Sequence, residues 1–167
     1  MEHLTVRANG AGLHVARLGA GRPLRLLHGW PEFWLTWEPV MTRLADRFTL
    51  YAPDLLGFGD SDKPDGPFGP DQQAADMLAL MDALGLAQAG IIGHDVGGAL
   101  MQPLARMAPA RVAGLFFFDS SIPASAREWQ SRSASTTSGI NPFTRWRWRL
   151  PLSALTEKAA GSISGIS

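Results

Sequence analysis

The residues best placed to do chemistry form the string Gly93-His94-Asp95-Val96-Gly97-Gly98, between a short apolar stretch and a helix-like one. Glycine, any residue, a central residue, any residue, glycine is the pattern of a nucleophile elbow, and Asp95 stands at its centre. Such a turn holds the central residue in a strained backbone conformation and projects its side chain from the top of a sheet. Small neighbours are needed two positions to either side, which accounts for Gly93 and Gly97. The helix start that follows aims backbone N–H groups at the same point and favours negative charge there. An exposed carboxylate is ionised at neutral pH without a helper base, so it can attack carbon directly and become an ester. Glycine-rich turns between strand and helix also occur for purely structural reasons, so this string alone leaves both readings open.

Two further loops carry polar and glycine residues directly after apolar runs. The first is His28-Gly29-Trp30-Pro31, and the second is Asp54-Leu55-Leu56-Gly57-Phe58-Gly59-Asp60-Ser61-Asp62-Lys63-Pro64. Each alone could be a loop with ordinary turn chemistry. Three such loops in this order are far more specific than one.

Periodicity supplies the elements that must position them. Leu4–Ala8 and Leu13–Leu18 read as strands around Asn9-Gly10, a hairpin signal. Leu24–His28 and Phe48–Pro53 read as apolar strands. Trp37–Leu44 reads as a helix with Trp37, Val40, Met41 and Leu44 on one face. After a loop over Asp54–Gly69, Asp71 is expected to N-cap a helix that runs to Leu84 and stops at Gly85. Its apolar face is Ala74, Met77, Leu78, Met81 and Leu84. Gly90–Gly93 reads as a short strand, Gly97–Met107 as a helix kinked at Pro103, and Val112–Phe118 as a last strand. Strands alternating with helices, several apolar throughout, imply a mainly parallel sheet covered on both faces.

Together the three loops resemble the α/β-hydrolase fold, and within it the branch with an aspartate nucleophile, the epoxide hydrolases and haloalkane dehalogenases. The resemblance runs from about residue 4 to Asp119. It implies that Asp95 is the nucleophile and that the backbone N–H groups of Trp30 and Val96 form the oxyanion hole. It also implies a cis bond before Pro31, with His28, Gly29, Gly93, His94 and Gly97 as supporting motif residues. On that reading Asp95 opens an epoxide or displaces a halide, and water activated by a histidine then cleaves the ester. His28-Gly29-Trp30-Pro31-Glu32, followed by Trp34 and Trp37, looks more like epoxide hydrolases. Haloalkane dehalogenases usually place Trp after the nucleophile, and fluoroacetate dehalogenases usually place Arg there; this chain has Val96. The substrate implied is a small apolar epoxide, with a haloalkane or haloacid as the alternative. An esterase is disfavoured by Asp at position 95.

The resemblance also implies parts that the chain does not supply. It calls for eight strands and a helical cap, whereas six strands are counted, so the chain is expected to be the N-terminal part of a hydrolase, truncated after about the sixth strand. None of His3, His14, His28 and His94 follows a late strand, where the base belongs, and all four are expected to be structural. The single tyrosine, Tyr51, falls in a predicted core strand, whereas cap tyrosines are implied as the acid. Asp119 is a candidate orienting acid, with a structural role as the competing reading. The chain alone is therefore expected to be catalytically incomplete, and a non-catalytic binding fragment stays open.

Composition narrows the remaining classes. Net charge is zero and 46% of residues are apolar, which gives no electrostatic case for nucleic acid or an anionic membrane. Cysteine is absent, which excludes disulfides and thiolate chemistry and fits a cytoplasmic location. No apolar run is long enough to span a bilayer, and no signal peptide is recognised. No metal-ligand cluster or phosphate loop stands out, so no metal or cofactor is expected. The chain changes character near Asp119. Residues 1–119 hold one serine and nine basic against thirteen acidic side chains; residues 120–167 hold eleven serines and six basic against two acidic. Residues 1–119 are thus expected to form the hydrolase core. Residues 120–167 are expected to be a disordered Ser/Arg-rich tail or coding sequence read out of frame, the latter suggested by Trp146-Arg147-Trp148-Arg149.

Overall fold

The computed structural model describes residues 1–65 and 69–120. Residues 121–167, which include most of the expected tail, lie outside the described residues. Six strands form one sheet: β1 (Glu2–Ala8), β2 (Ala11–Leu18), β3 (Arg22–Leu27), β4 (Phe48–Pro53), β5 (Ala89–His94) and β6 (Val112–Phe118). Their order is β1-β2-β4-β3-β5-β6. The β1–β2 and β2–β4 pairs are antiparallel, while β3–β4, β3–β5 and β5–β6 are parallel. Asn9 and Gly10 both take positive φ (50° and 84°), as a two-residue hairpin of the right twist requires.

Alternation along the strands sorts the core into two layers. Leu13, Val15, Leu27, Tyr51 and Ile91 face helices α2 (Pro70–Ala83) and α3 (Val96–Met107), meeting Met77, Leu80, Leu100 and Leu104. Ala16, Leu24, Leu26, Leu50 and Ala52 face the other way and meet Trp37 and Met41. Two covered faces explain why these strands are apolar runs.

Two expected helix starts are built differently. The stretch read as one helix from Trp37 begins as a 3-10 turn over Trp34–Trp37 and continues as α1 (Glu38–Leu44). Asp71 is not the N-cap of α2. Pro70 takes the first helical position, where its missing N–H costs nothing, so Gly69 becomes the cap and Asp71 falls in the first turn. There its carboxylate pairs with Arg106 of α3 at 2.7 Å. On α2 the deeply buried apolar residues are Ala74, Met77, Leu80 and Met81, while Leu78 and Leu84 are partly covered. Gly85, at φ 68°, ends the helix as expected. Among the described residues no helix is long and apolar enough to cross a membrane.

Candidate active site

The end of β5 turns sharply into α3 at Asp95, whose backbone sits at φ 46° and ψ −112°. A positive φ is costly for a residue with a Cβ, and the surroundings enforce it. Gly93 has no room for a side chain, since a Cβ there would lie 2.5 Å from the Met101 sulfur and 2.6 Å from the Gly97 carbonyl oxygen. A Cβ on Gly97 would run into the Leu27 carbonyl, and the Gly97 N–H donates to the His28 carbonyl at 3.1 Å. The two glycines thus let α3 press against the end of β3. The Asp95 carbonyl accepts from the Ala99 N–H at 3.1 Å and from the Ser120 hydroxyl at 2.8 Å, which pins the turn from both sides.

The loop after β3 closes over this turn. The Trp30 N–H donates to Asp95 Oδ2 at 3.0 Å, and the Trp30–Pro31 bond is cis, as expected. Val96 opens α3, where a backbone N–H has no partner within the helix. Gly29 lies so close that a Cβ on it would sit 2.8 Å from Asp95 Cβ and 2.9 Å from His94 Nδ1. The Trp30 side chain itself is 69% exposed, so this residue meets Asp95 through its backbone.

His28 and His94 belong to different networks. The buried His28 donates from Nδ1 to the Gly29 carbonyl at 2.8 Å and accepts the Leu55 N–H on Nε2 at 3.0 Å, which fixes one neutral tautomer. Burial pushes its pKa below the usual imidazole value, outweighing the Gly29 carbonyl and the carboxylates of Asp54 and Glu32. His94 donates from Nδ1 to Glu32 Oε2 at 3.1 Å and stacks on Phe118, with centroids 4.9 Å apart. Its Nε2 lies 3.7 Å from the largely exposed carboxylate of Asp119, at the end of β6.

Two residues of the site surroundings were named in the sequence only as members of their loops, with no role of their own. Glu32 Oε2 also accepts the Gly29 N–H at 3.0 Å, and the Glu32 N–H donates to the Gly29 carbonyl at 3.0 Å. One residue therefore grips both sides of Gly29 and, through His94, ties that loop to the turn at Asp95. Burial would raise the Glu32 carboxyl, but the hydrogen bonds from Gly29 and His94 hold it below its ordinary value. Asp54 is fully buried. Its Oδ1 accepts the Trp34 N–H at 2.7 Å, and its Oδ2 accepts the Asp60 N–H and His14 Nδ1, both at 2.9 Å. Gly59, at φ 47°, has no space for a Cβ against that carboxylate, and this glycine was the available signal. His14, Asp54 and Asp60 also bring possible metal-ligand atoms within 4.8 Å of one another, a grouping that sequence spacing did not reveal. The hydrogen bonds just described already occupy both Asp54 oxygens. His3 Nδ1 meets His14 Nε2 at 3.0 Å, so both histidines of the hairpin are engaged away from Asp95.

Comparison with known proteins fits this geometry. A family profile described as the alpha/beta hydrolase fold matches residues 22–149. The chain is 45% identical over 98 residues to a soluble epoxide hydrolase of Corynebacterium, covering 59% of this chain and 34% of that one. An epoxide hydrolase of Vigna radiata superposes with a TM-score of 0.68 at 33% identity, over 70% of this chain and 37% of that one. A protein of Salmonella enterica described as a putative acyltransferase superposes with a TM-score of 0.70 at 39% identity, over 77% and 44%. The chain spans about a third of the length of the curated epoxide hydrolases it matches. With the sheet order, the sharp β5–α3 turn at Asp95 and the match to the family profile in agreement, the chain belongs to the alpha/beta hydrolase fold family.

Proposed function

We propose that Asp95 is the nucleophile of an epoxide-hydrolase-type reaction on a small apolar epoxide. The observation that carries this is the placement of one carboxylate at a strained strand-to-helix apex with a backbone N–H on one of its oxygens. Trp30 holds Oδ2, which leaves Oδ1 to attack. The Asp95 Oδ1–carbon bond forms, the ring C–O bond breaks, and the alkoxide takes a proton from water. Oδ2 is then the ester carbonyl oxygen. When water adds to Cγ, the negative charge develops on Oδ2, where the N–H groups of Trp30 and Val96 act as the oxyanion hole; such a donor is typically worth about 3–4 kcal/mol. Collapse releases the diol and restores the carboxylate. An acyltransferase or esterase reading is disfavoured because position 95 carries a carboxylate and no hydroxyl.

The described residues supply the nucleophile but neither a base nor an acid for the epoxide oxygen. His14 and His28 are committed to other partners, His94 is held by Glu32, and Tyr51 is buried in β4. Asp119 fits the position of an orienting acid, and the imidazole it reaches is His94. Losing general acid–base help typically costs about 10²–10⁴ in rate, so the ester accumulates and turnover does not follow. A cysteine-free chain of this kind is at home in the cytoplasm. The test is intact-mass spectrometry of the purified chain after exposure to styrene oxide or to 1-chlorohexane. Addition of one epoxide mass, absent in Asp95→Asn, supports the reading. A chloride-displacing alkyl adduct with no epoxide adduct would move the assignment to a dehalogenase. The absence of any Asp95-dependent adduct would leave a non-catalytic fragment, and steady-state diol formation would overturn the incompleteness.

A further inference from the structure

We propose that His3 is a second nucleophile, an exposed imidazole backed by His14 and Asp54 that hydrolyses small activated esters. The inference rests on the β1–β2 hairpin and is independent of the chemistry assigned to Asp95. Thr5 of β1 pairs directly with His14 of β2, and His3 pairs with Ala16. Alternation puts His3, Thr5, His14 and Ala16 on one face of the hairpin, so the two imidazoles are diagonal neighbours within reach of each other. His3 is exposed, His14 is buried and Asp54 lies deepest, with no exposed surface. His3 Nδ1 is 3.0 Å from His14 Nε2, and His14 Nδ1 is 2.9 Å from Asp54 Oδ2. The imidazole planes are 15° apart with centroids at 5.2 Å, so the facing nitrogens point at one another along the line of the rings.

The buried end of this chain of hydrogen bonds decides where each proton sits. Asp54 acts as an acceptor throughout, taking the N–H groups of Trp34 and Asp60 at 2.7 and 2.9 Å. His14 therefore donates from Nδ1, which leaves its Nε2 as a lone pair. His3 then donates from Nδ1, so its own lone pair is on Nε2. Among the described residues His3 Nε2 makes no hydrogen bond, and it stands open to an electrophile. Carboxylate, imidazole, nucleophile is the order of a catalytic triad, with a second imidazole in place of the hydroxyl. A hydroxyl must lose its proton to attack, whereas the Nε2 lone pair attacks as it stands. The hydrogen bonds behind it stabilise the positive charge that develops on the His3 ring, because its Nδ1 proton faces His14 Nε2 and the charge is drawn toward the Asp54 carboxylate. Trp34 packs edge-on to His3 with centroids 4.8 Å apart and holds that ring from the side. In the reaction, His3 Nε2 bonds to the acyl carbon, and the bond to the leaving alkoxide or phenolate breaks with its electron pair on the oxygen. Water then adds to the acyl carbon, the C–N bond breaks with its pair returning to Nε2, and the carboxylate and a proton pass to solvent.

The test is release of p-nitrophenolate from p-nitrophenyl acetate by the purified 167-residue chain, with the acetylated residue located by rapid acid quench, proteolysis and mass spectrometry. Several nitrophenolates per chain are expected, with the acetyl group on His3 ahead of His94 and the Met1 amine. The chain has no cysteine, so no thiol competes for the ester. His3→Ala is expected to lower the rate about tenfold or more, the low side of what positioned proton-handling groups typically contribute. His14→Phe keeps a ring but removes the relay, and it is expected to slow acetylation of His3 by a similar factor with unchanged circular dichroism. His14→Gln, whose amide oxygen can still accept from His3, recovers part of that loss, and Thr5→Ala, directly opposite His14, keeps the parent rate. Where His14→Phe does not fold, the order of labelling in the unmodified chain decides. An acetyl group carried by Asp95, His94 or the Met1 amine with His3 unlabelled, a parent-like rate in His3→Ala, or a folded His14→Phe at the parent rate would each overturn the proposal.

Discussion

Replacing Arg25 should stabilise the protein. Arg25 lies in the middle of β3, paired with Tyr51 on one side and Ile91 on the other. It is completely buried, and none of Nε, Nη1 and Nη2 has a hydrogen-bond partner. Burial, with a smaller contribution from the like charge of Arg111, lowers its pKa from the ordinary guanidinium value to about 10. At about 1.4 kcal/mol per pKa unit, the folded state bears on the order of 3 kcal/mol for keeping this side chain charged at neutral pH. Methionine has a similar reach and no polar hydrogen, and replacing buried ionic groups by apolar ones of similar volume is often stabilising. Arg25→Met is therefore expected to gain about 1–3 kcal/mol, or roughly 3–10 °C in Tm for a chain of this size. The assay is urea and thermal unfolding at pH 7, with the midpoint rising at an unchanged m-value. The sign with pH also follows. Below about pH 10 both folded and unfolded Arg25 are protonated and the gap between variant and parent is constant. Above about pH 10 the folded state gives up this proton before the unfolded chain does, so the parent gains stability as pH rises and the gap narrows. A destabilised Arg25→Met, or a gap that widens with alkalinity, would refute the reasoning by revealing an anionic partner for the guanidinium.

Gly29→Ala should disable the site, because the new Cβ would sit 2.8 Å from Asp95 Cβ and 2.9 Å from His94 Nδ1; the epoxide adduct yield, followed by intact mass, is expected to fall about tenfold or more, in line with the cost of small misplacements. Asp54→Ala strands the N–H groups of Trp34 and Asp60 and the His14 ring without their acceptor. It should cost about 2–4 kcal/mol in urea unfolding, and a loss under 1 kcal/mol would contradict the anchoring role.

The parts of the fold that depend on local pattern were legible. Phe48–Pro53 and Val112–Phe118 were read with the bounds the structure gives, because both are short apolar runs between polar turns. Asn9-Gly10 announced its hairpin, and the glycines around Asp95 announced a sharp strand-to-helix turn, since each marks a backbone geometry few residues adopt. Groups whose roles arise from distant contacts were not legible. Asp54 reads as an ordinary turn residue until His14 and Trp34, far away in sequence, converge on it. Glu32 reads as a polar loop residue, yet its side chain turns back onto Gly29. Arg25 interrupts an apolar strand by one charge, and nothing local says that it is sealed beneath helices with no partner. Asp71 lost the cap to Gly69 because the proline between them fixed where the helix begins.

The most direct test of the account is to locate the covalent adduct. After exposure of the purified chain to styrene oxide, proteolysis and fragment-ion sequencing should place one added epoxide mass on Asp95, cleaved by hydroxide as an ester would be and missing from Asp95→Asn. An adduct confined to histidine, methionine or another carboxylate, with Asp95 unmodified, would contradict the claim that this aspartate is the nucleophile.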